Sequence, residues 1–175
     1  MTASALTIGG TVAVDPGIRG SGVALFRGNV LVWAGYVANP QAGNDAFAAS
    51  RMALAITDEV HRHNVGVHVV CFEMPVVRDA RHSKGDPNDL LPLAAINGAL
   101  CGLWCSVRLV QYKPEEWKGQ LSKEAMNARS LSRLGASELE CIQGYGALTH
   151  NVHDAVGIGL HFLGRLKPTR AYPRL

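Results

Sequence analysis

No CxxC pair occurs among the four cysteines of this 175-residue chain, and neither sign of charge dominates it. No window approaches the roughly 18 uninterrupted apolar residues that a membrane-crossing helix requires. Each absence excludes something. Cys71, Cys101, Cys105 and Cys141 build no disulfide framework, and three of them lie in apolar segments where a reduced thiol packs as a small hydrophobe. Cys101 and Cys105 stand four apart, yet nothing nearby supplies the two further ligands of a zinc site. Residues 1–6 carry neither a basic leader nor a long apolar stretch, so a soluble, non-secreted, cytoplasmic protein is expected, with no membrane partner. A formal charge of +3 excludes a histone-like or strongly acidic protein. Residues 1–107 carry 7 basic and 8 acidic side chains and residues 108–175 carry 10 and 6, so an anion-binding surface should draw on the second part.

Hydrophobic residues make up 47% of the chain, enough for one core without staples. With no internal repeat and no dividing linker, residues 1–175 read as one domain, its core over about 11–164 and a basic, Pro-containing tail at 165–175. Apolar runs at 12–14, 22–26 and 30–37, broken at Asp15-Pro16-Gly17 and Arg27-Gly28-Asn29, predict an antiparallel meander. Phe47, Met52, Ile56 and Val60 recur at helical spacing over 46–63, with Asn44 and Asp45 available as caps. The near-continuous apolar run 67–72 reads as a strand buried on both faces, and it ends on Glu73. Residues 77–88 are polar, contain Gly and Pro, and lack a period, which predicts a mobile loop. An Ala-rich apolar helix over 89–105 and a strand over 107–111 follow. A short helix opens at Pro114, Ser122 caps another over 123–134, and the last helix runs over 151–163. This order predicts an α/β fold, a mixed five-stranded sheet covered by helices on both faces.

Asp15 and Glu73 each end a buried strand, where an ionised carboxylate is costly unless paired, protonated or metal-bound. If the first and fourth strands are neighbours, the two acids face each other at one sheet edge, and Asp154, early in the last helix, completes a cluster. Taken singly, each acid has an ordinary reading as a turn, a solvated strand end or a helix-dipole partner. Together they would repel one another without divalent cations, and oxygen ligands select Mg²⁺ or Mn²⁺ over zinc.

Val14-Asp15-Pro16-Gly17-Ile18-Arg19-Gly20-Ser21-Gly22, Phe72-Glu73, Trp117-Lys118 with Lys123, and Asn151-Val152-His153-Asp154-Ala155 resemble, in order, the motifs of RuvC-type Holliday-junction resolvases in the ribonuclease H-like superfamily. The resemblance spans about 11–164. It implies a structure-selective endonuclease in which Asp15, Glu73 and Asp154 hold two Mg²⁺ ions, with Mn²⁺ able to substitute, for hydrolysis of a phosphodiester. The family's fourth ligand is an acid or His three residues before the final Asp; here that position is Asn151, and His150 is the alternative. Lys118 would take part in catalysis, and Lys118 and Lys123 would hold the phosphate. Trp117 is expected to pack beneath its short helix rather than stack on a base, and His153 to play a supporting or structural part. The loop after Glu73 lacks the family's stacking aromatic and offers Arg78, Arg81, His82 and Lys84 for DNA contact. Branched or four-way junction DNA is the implied partner. A homodimer would supply two active sites to a two-fold junction, with the helix around Leu90 to Leu103 as its interface. The setting would be a bacterial or phage-infected cell.

Three other readings compete. One is a nuclease of this fold acting on precursor ribosomal RNA or other branched nucleic acid. Another is an actin or sugar-kinase type nucleotide-binding domain, for which the chain is short and lacks a second Gly-rich phosphate loop. The third is a catalytically silent DNA-binding protein, suggested by Asn151.

Overall fold

The computed structural model describes residues 9–41, 43–76, 88, 90–144 and 146–166. Strands β1 (Gly10–Asp15), β2 (Gly20–Arg27) and β3 (Val30–Ala38) form the antiparallel meander. A two-residue turn joins β2 to β3, and Gly28 takes the positive φ (58°) that such hairpins need at their first central position. Helix α1 (Ala46–Arg62) follows, its first turn capped by Asp45, whose carboxylate accepts the Ala48 N–H at 2.8 Å. Strand β4 (Val67–Glu73) lies parallel to β1, and β5 (Arg108–Tyr112) lies parallel to β4. Helix α2 (Leu90–Leu103) connects them. The chain ends in α3 (Pro114–Trp117), α4 (Lys123–Leu131), α5 (Ala136–Leu139), a 3-10 turn (Gly146–Leu148) and α6 (Thr149–Phe162). Sheet order is β3-β2-β1-β4-β5, the mixed five-stranded arrangement that the sequence predicts.

Strand alternation divides the core in two. Val12, Val14, Val23, Leu25, Val70 and Phe72 pack with α1 and α2 on one face. Ala13, Ala24, Phe26 and Cys71 point to the other, where α6 lies across β1 and β2. Small residues on this second face let the helix come close. At Gly159 a Cβ would lie 2.2 Å from the Phe26 ring, so a side chain there would push α6 off the sheet.

Several boundaries differ from the periodicity reading. Phe47 is 63% exposed although its spacing suggested a core position. The buried face of α1 runs through Ala49, Met52, Ala53, Ile56 and Val60, and Phe47 lies about 140° round the helix from Met52. Helix α4 stops at Leu131, short of 134, and α6 begins at Thr149, two residues before the expected start. Helix α5 was not expected: four residues carry no measurable period. After it, Ile142 bridges to Ala34 of β3. Asp89, the loop at 77–87 with Arg78, Arg81, His82 and Lys84, and the tail from 167 onward lie outside the described residues.

Glu138 of α5 is the buried carboxylate that secures this region. Its Oε1 accepts from Leu31 N at 2.8 Å and Arg165 Nη1 at 2.6 Å; Oε2 accepts from Gly135 N at 2.9 Å and Arg165 Nη2 at 2.8 Å. The Arg165 hydrogen bonds, foremost, hold Glu138 at about 2, below the ordinary carboxylate range. A depressed native value stabilises the fold fully above the unfolded value and loses that contribution as pH falls through the native one. Glu138→Gln should therefore lower stability by about 3 kcal/mol at pH 7, because it leaves the guanidinium without its anionic partner. The gap between wild type and variant in thermal unfolding should shrink from pH 5 to pH 2; a constant gap would contradict this assignment.

Candidate active site

The pleat brings the acids together. Val14 of β1 pairs with Phe72 of β4, and both point to the α1–α2 face. The next residues, Asp15 and Glu73, therefore point to the face that carries α6. Asp154 stands on α6 itself, in its second turn. Asp15 is directly opposite Gly22 of β2, and this glycine sets how near α6 can approach. A Cβ on Gly22 would sit 1.9 Å from the Asn151 carbonyl oxygen and 2.3 Å from its carbon. The first turn of α6 thus rests on bare backbone beside Asp15.

All three acids are half-buried. Burial raises Asp15 well above the ordinary carboxylate range, and the Asp154 and Glu73 charges add to it, while Lys118 and Lys123 oppose. Burial also raises Glu73, against the opposing pull of Lys118 and of a Trp117 hydrogen bond. Asp154 is raised by burial in turn, opposed by Lys118, Lys123, His150 and His153. One electrostatic cluster therefore contains Asp15, Glu73, Asp154, Lys118 and Lys123. Lys118 Nζ stands 3.5 Å from Glu73 Oε2. His153 lies beside Asp154 in sequence, and its imidazole is lowered by burial. His150 and Asn151 precede Asp154 by four and three residues on α6, spacings that place both on its side of the helix.

No family model matches the sequence, and no curated protein does. Solved structures do match in shape. Thermus thermophilus RuvC in complex with Holliday junction substrate superposes with a TM-score of 0.61 at 17% identity, over 90% of this chain and 96% of that one. A second Thermus thermophilus RuvC structure gives 0.58 at 18% identity, over the same shares. The yeast mitochondrial Holliday junction resolvase Ydc2 gives 0.60 at 11% identity, over 96% of this chain and 84% of that one. The chain has a RuvC-type fold.

Within this RuvC-type fold, two supports of Glu73 escaped the sequence reading. Trp117 packs beneath α3 as expected, 2% exposed, but its indole Nε1–H also donates to Glu73 Oε2 at 2.7 Å. Asn97 of α2 donates to the Glu73 main-chain carbonyl at 2.9 Å. A lone buried Asn in an otherwise apolar helix was the available signal for the second contact. Cys71 is inert: it is fully buried, its thiol is pushed up to about 12, and it donates to Val12 O.

As they stand, no three His, Cys, Asp or Glu side chains among the described residues converge closely enough to hold an ion. The donor chemistry nonetheless suits a hard divalent cation. The acids offer only oxygen, and burial raises the proton affinity of all three, so their ionised forms call for a cation. Among the described residues no helix is long and apolar enough to cross a membrane.

Proposed function

We propose that this protein is a Mg²⁺-dependent endonuclease that cuts branched or four-way junction DNA as a homodimer. The observation that carries this reading is the electrostatic coupling of Asp15, Glu73 and Asp154 to one another and to Lys118, where β1 and β4 end beneath α6 in a RuvC-type fold. The Thermus RuvC was solved with a Holliday junction and the yeast neighbour is a Holliday junction resolvase, which supports the choice of substrate. Asp15, Glu73 and Asp154 would hold the cations, with Asn151 or His150 as a further donor. Two bound Mg²⁺ ions, or Mn²⁺ in their place, would supply a nucleophilic water and charge neutralisation for phosphodiester hydrolysis. Lys118 and Lys123 hold the phosphate by charge. Lys118 gives up its contact with Glu73 as the DNA arrives, because an ammonium on a flexible stem moves at little cost. Arg78, Arg81, His82 and Lys84 contact the branch point.

The test is a panel of labelled four-way junction, flap, linear duplex and structured RNA with Mg²⁺. Preferred cutting of the junction is expected; equal cutting of linear duplex, or cutting of RNA alone, would overturn the reading.

The dimer surface is assigned to α2. This helix is apolar all round but buries only Pro92, Ile96, Asn97 and Leu100. Leu91 (65% exposed), Ala94, Gly98 and Gly102 fall on its outer side, and no atom lies within 4 Å of a Cβ placed on Gly98. Gly98→Arg is accommodated by the monomer and places a charge at the centre of that surface. Its mass by light scattering should fall from twice 18.7 kDa to a single chain. A variant that remains dimeric would move the interface elsewhere.

A further inference from the structure

Glu73 is held at both ends, its main-chain carbonyl by Asn97 and its carboxylate by Trp117. Among the described residues two donors reach that carboxylate, and both reach the same oxygen: Trp117 Nε1 at 2.7 Å and Lys118 Nζ at 3.5 Å from Oε2. They differ in what they can do next. The ammonium sits on a flexible stem, 4.9 Å above the indole ring, and is free to follow a phosphate. The indole is a donor only and carries no charge to be drawn away. Its ring is also fixed from behind. A Cβ on Gly157 of α6 would lie 2.6 Å from Trp117 Cζ3, so the ring occupies the space of a missing side chain. Gly157 is three residues after Asp154 on the same helix. One buried ring thus ties the strand that carries Glu73 to the helix that carries Asp154.

We propose that Trp117 is a positioning residue for Glu73, its indole N–H fixing Oε2 so that the other oxygen is presented to a divalent cation. The proposal rests on the nuclease reading above. Hydrogen bonds to the far side of a metal-binding carboxylate orient it, and their loss typically weakens metal binding about 10–100-fold. Phe keeps an apolar ring at the site and removes the N–H, together with the outer part of the indole that meets Gly157.

The test is Mn²⁺ binding by the full chain, followed by the electron spin resonance of the free ion, in wild type and Trp117→Phe. Binding about tenfold or more weaker is expected in the variant, measured at a temperature where its thermal unfolding curve shows it folded. In ¹⁵N-labelled wild type, the Trp117 indole N–H should exchange slowly with water and should shift both on adding Mg²⁺ and in Glu73→Gln. This measurement decides the matter even if Trp117→Phe does not fold. Mn²⁺ bound equally by wild type and Trp117→Phe, or an indole signal indifferent to Glu73→Gln, overturns the proposal alone. A wild type that binds no Mn²⁺ overturns the nuclease reading, and this proposal with it.

Discussion

Asp15→Asn should abolish junction cleavage and, in the absence of metal, make the protein more stable. The loss of rate is expected to be about 10³-fold, the scale set by removing a group that organises charge at a reacting centre. Junction binding should be unchanged or tighter, since one negative charge fewer faces the phosphates. The stability gain follows from the raised proton affinity of Asp15, whose first cause is burial and whose second is Asp154. A carboxylate raised in the folded state opposes folding wherever it is ionised in both states. The opposition is complete above the folded value and fades as pH falls through it. Asn removes the charge and keeps the shape. In EDTA at pH 7 a Tm above that of the wild type is expected. With Mg²⁺ the order should reverse, because only the wild type gains from binding the ion. Scanning calorimetry under both conditions, beside a cleavage assay, tests this. Wild-type cleavage by the variant, or a lower Tm in EDTA, would remove Asp15 from the proposed site.

Gly22→Val should cost both stability and activity, and a second change at Asn151 should not restore either. The added Cβ would meet the Asn151 carbonyl oxygen at 1.9 Å and the amide nitrogen of Val152 at 2.8 Å. These are main-chain atoms, so no rotamer relieves the contact; either α6 lifts or β2 bends. Overpacking of this kind costs about 1–3 kcal/mol, or a Tm loss of about 2–12 °C in a chain of this size. The larger effect falls on chemistry. A displacement of about 1 Å in a group near the reacting centre can cost about 10²-fold in rate, and α6 carries Asp154. Asn151→Gly removes a side chain that the clash does not involve, so the double variant should recover neither stability nor rate. Recovery in the double variant would show that the Asn151 side chain, rather than its main chain, sets the depth of the helix.

What the sequence makes legible here depends on range. The meander, the β4 strand ending on Glu73 and the Asp45 and Ser122 caps are local patterns, and all are present. The facing of Asp15 and Glu73 needs only the pleat and the adjacency of β1 and β4. By contrast, Glu138 and Arg165 are 27 residues apart and meet only after α6 has returned along the sheet, so no periodicity announces them. Trp117 reads as a core residue because its exposure is that of one; its second task, the bond to Glu73, belongs to a polar atom that hydropathy does not register. Phe47 shows the reverse error, a large apolar residue assigned inward by type although its angle on the helix points it outward.

The order in which the parts of the cluster leave the ribosome has its own consequence. β1, β2 and β3 close on near neighbours, whereas α6 packs on β1 and β2 from the far end of the described chain. Non-local contacts of this kind form slowly, after their loop entropy has been met. During synthesis, at about 5–20 residues per second, Asp15 and Glu73 emerge seconds before Asp154 does. Asp154 thus joins Asp15 and Glu73 only when α6 docks, and under the nuclease reading the site is assembled by that docking and not before it.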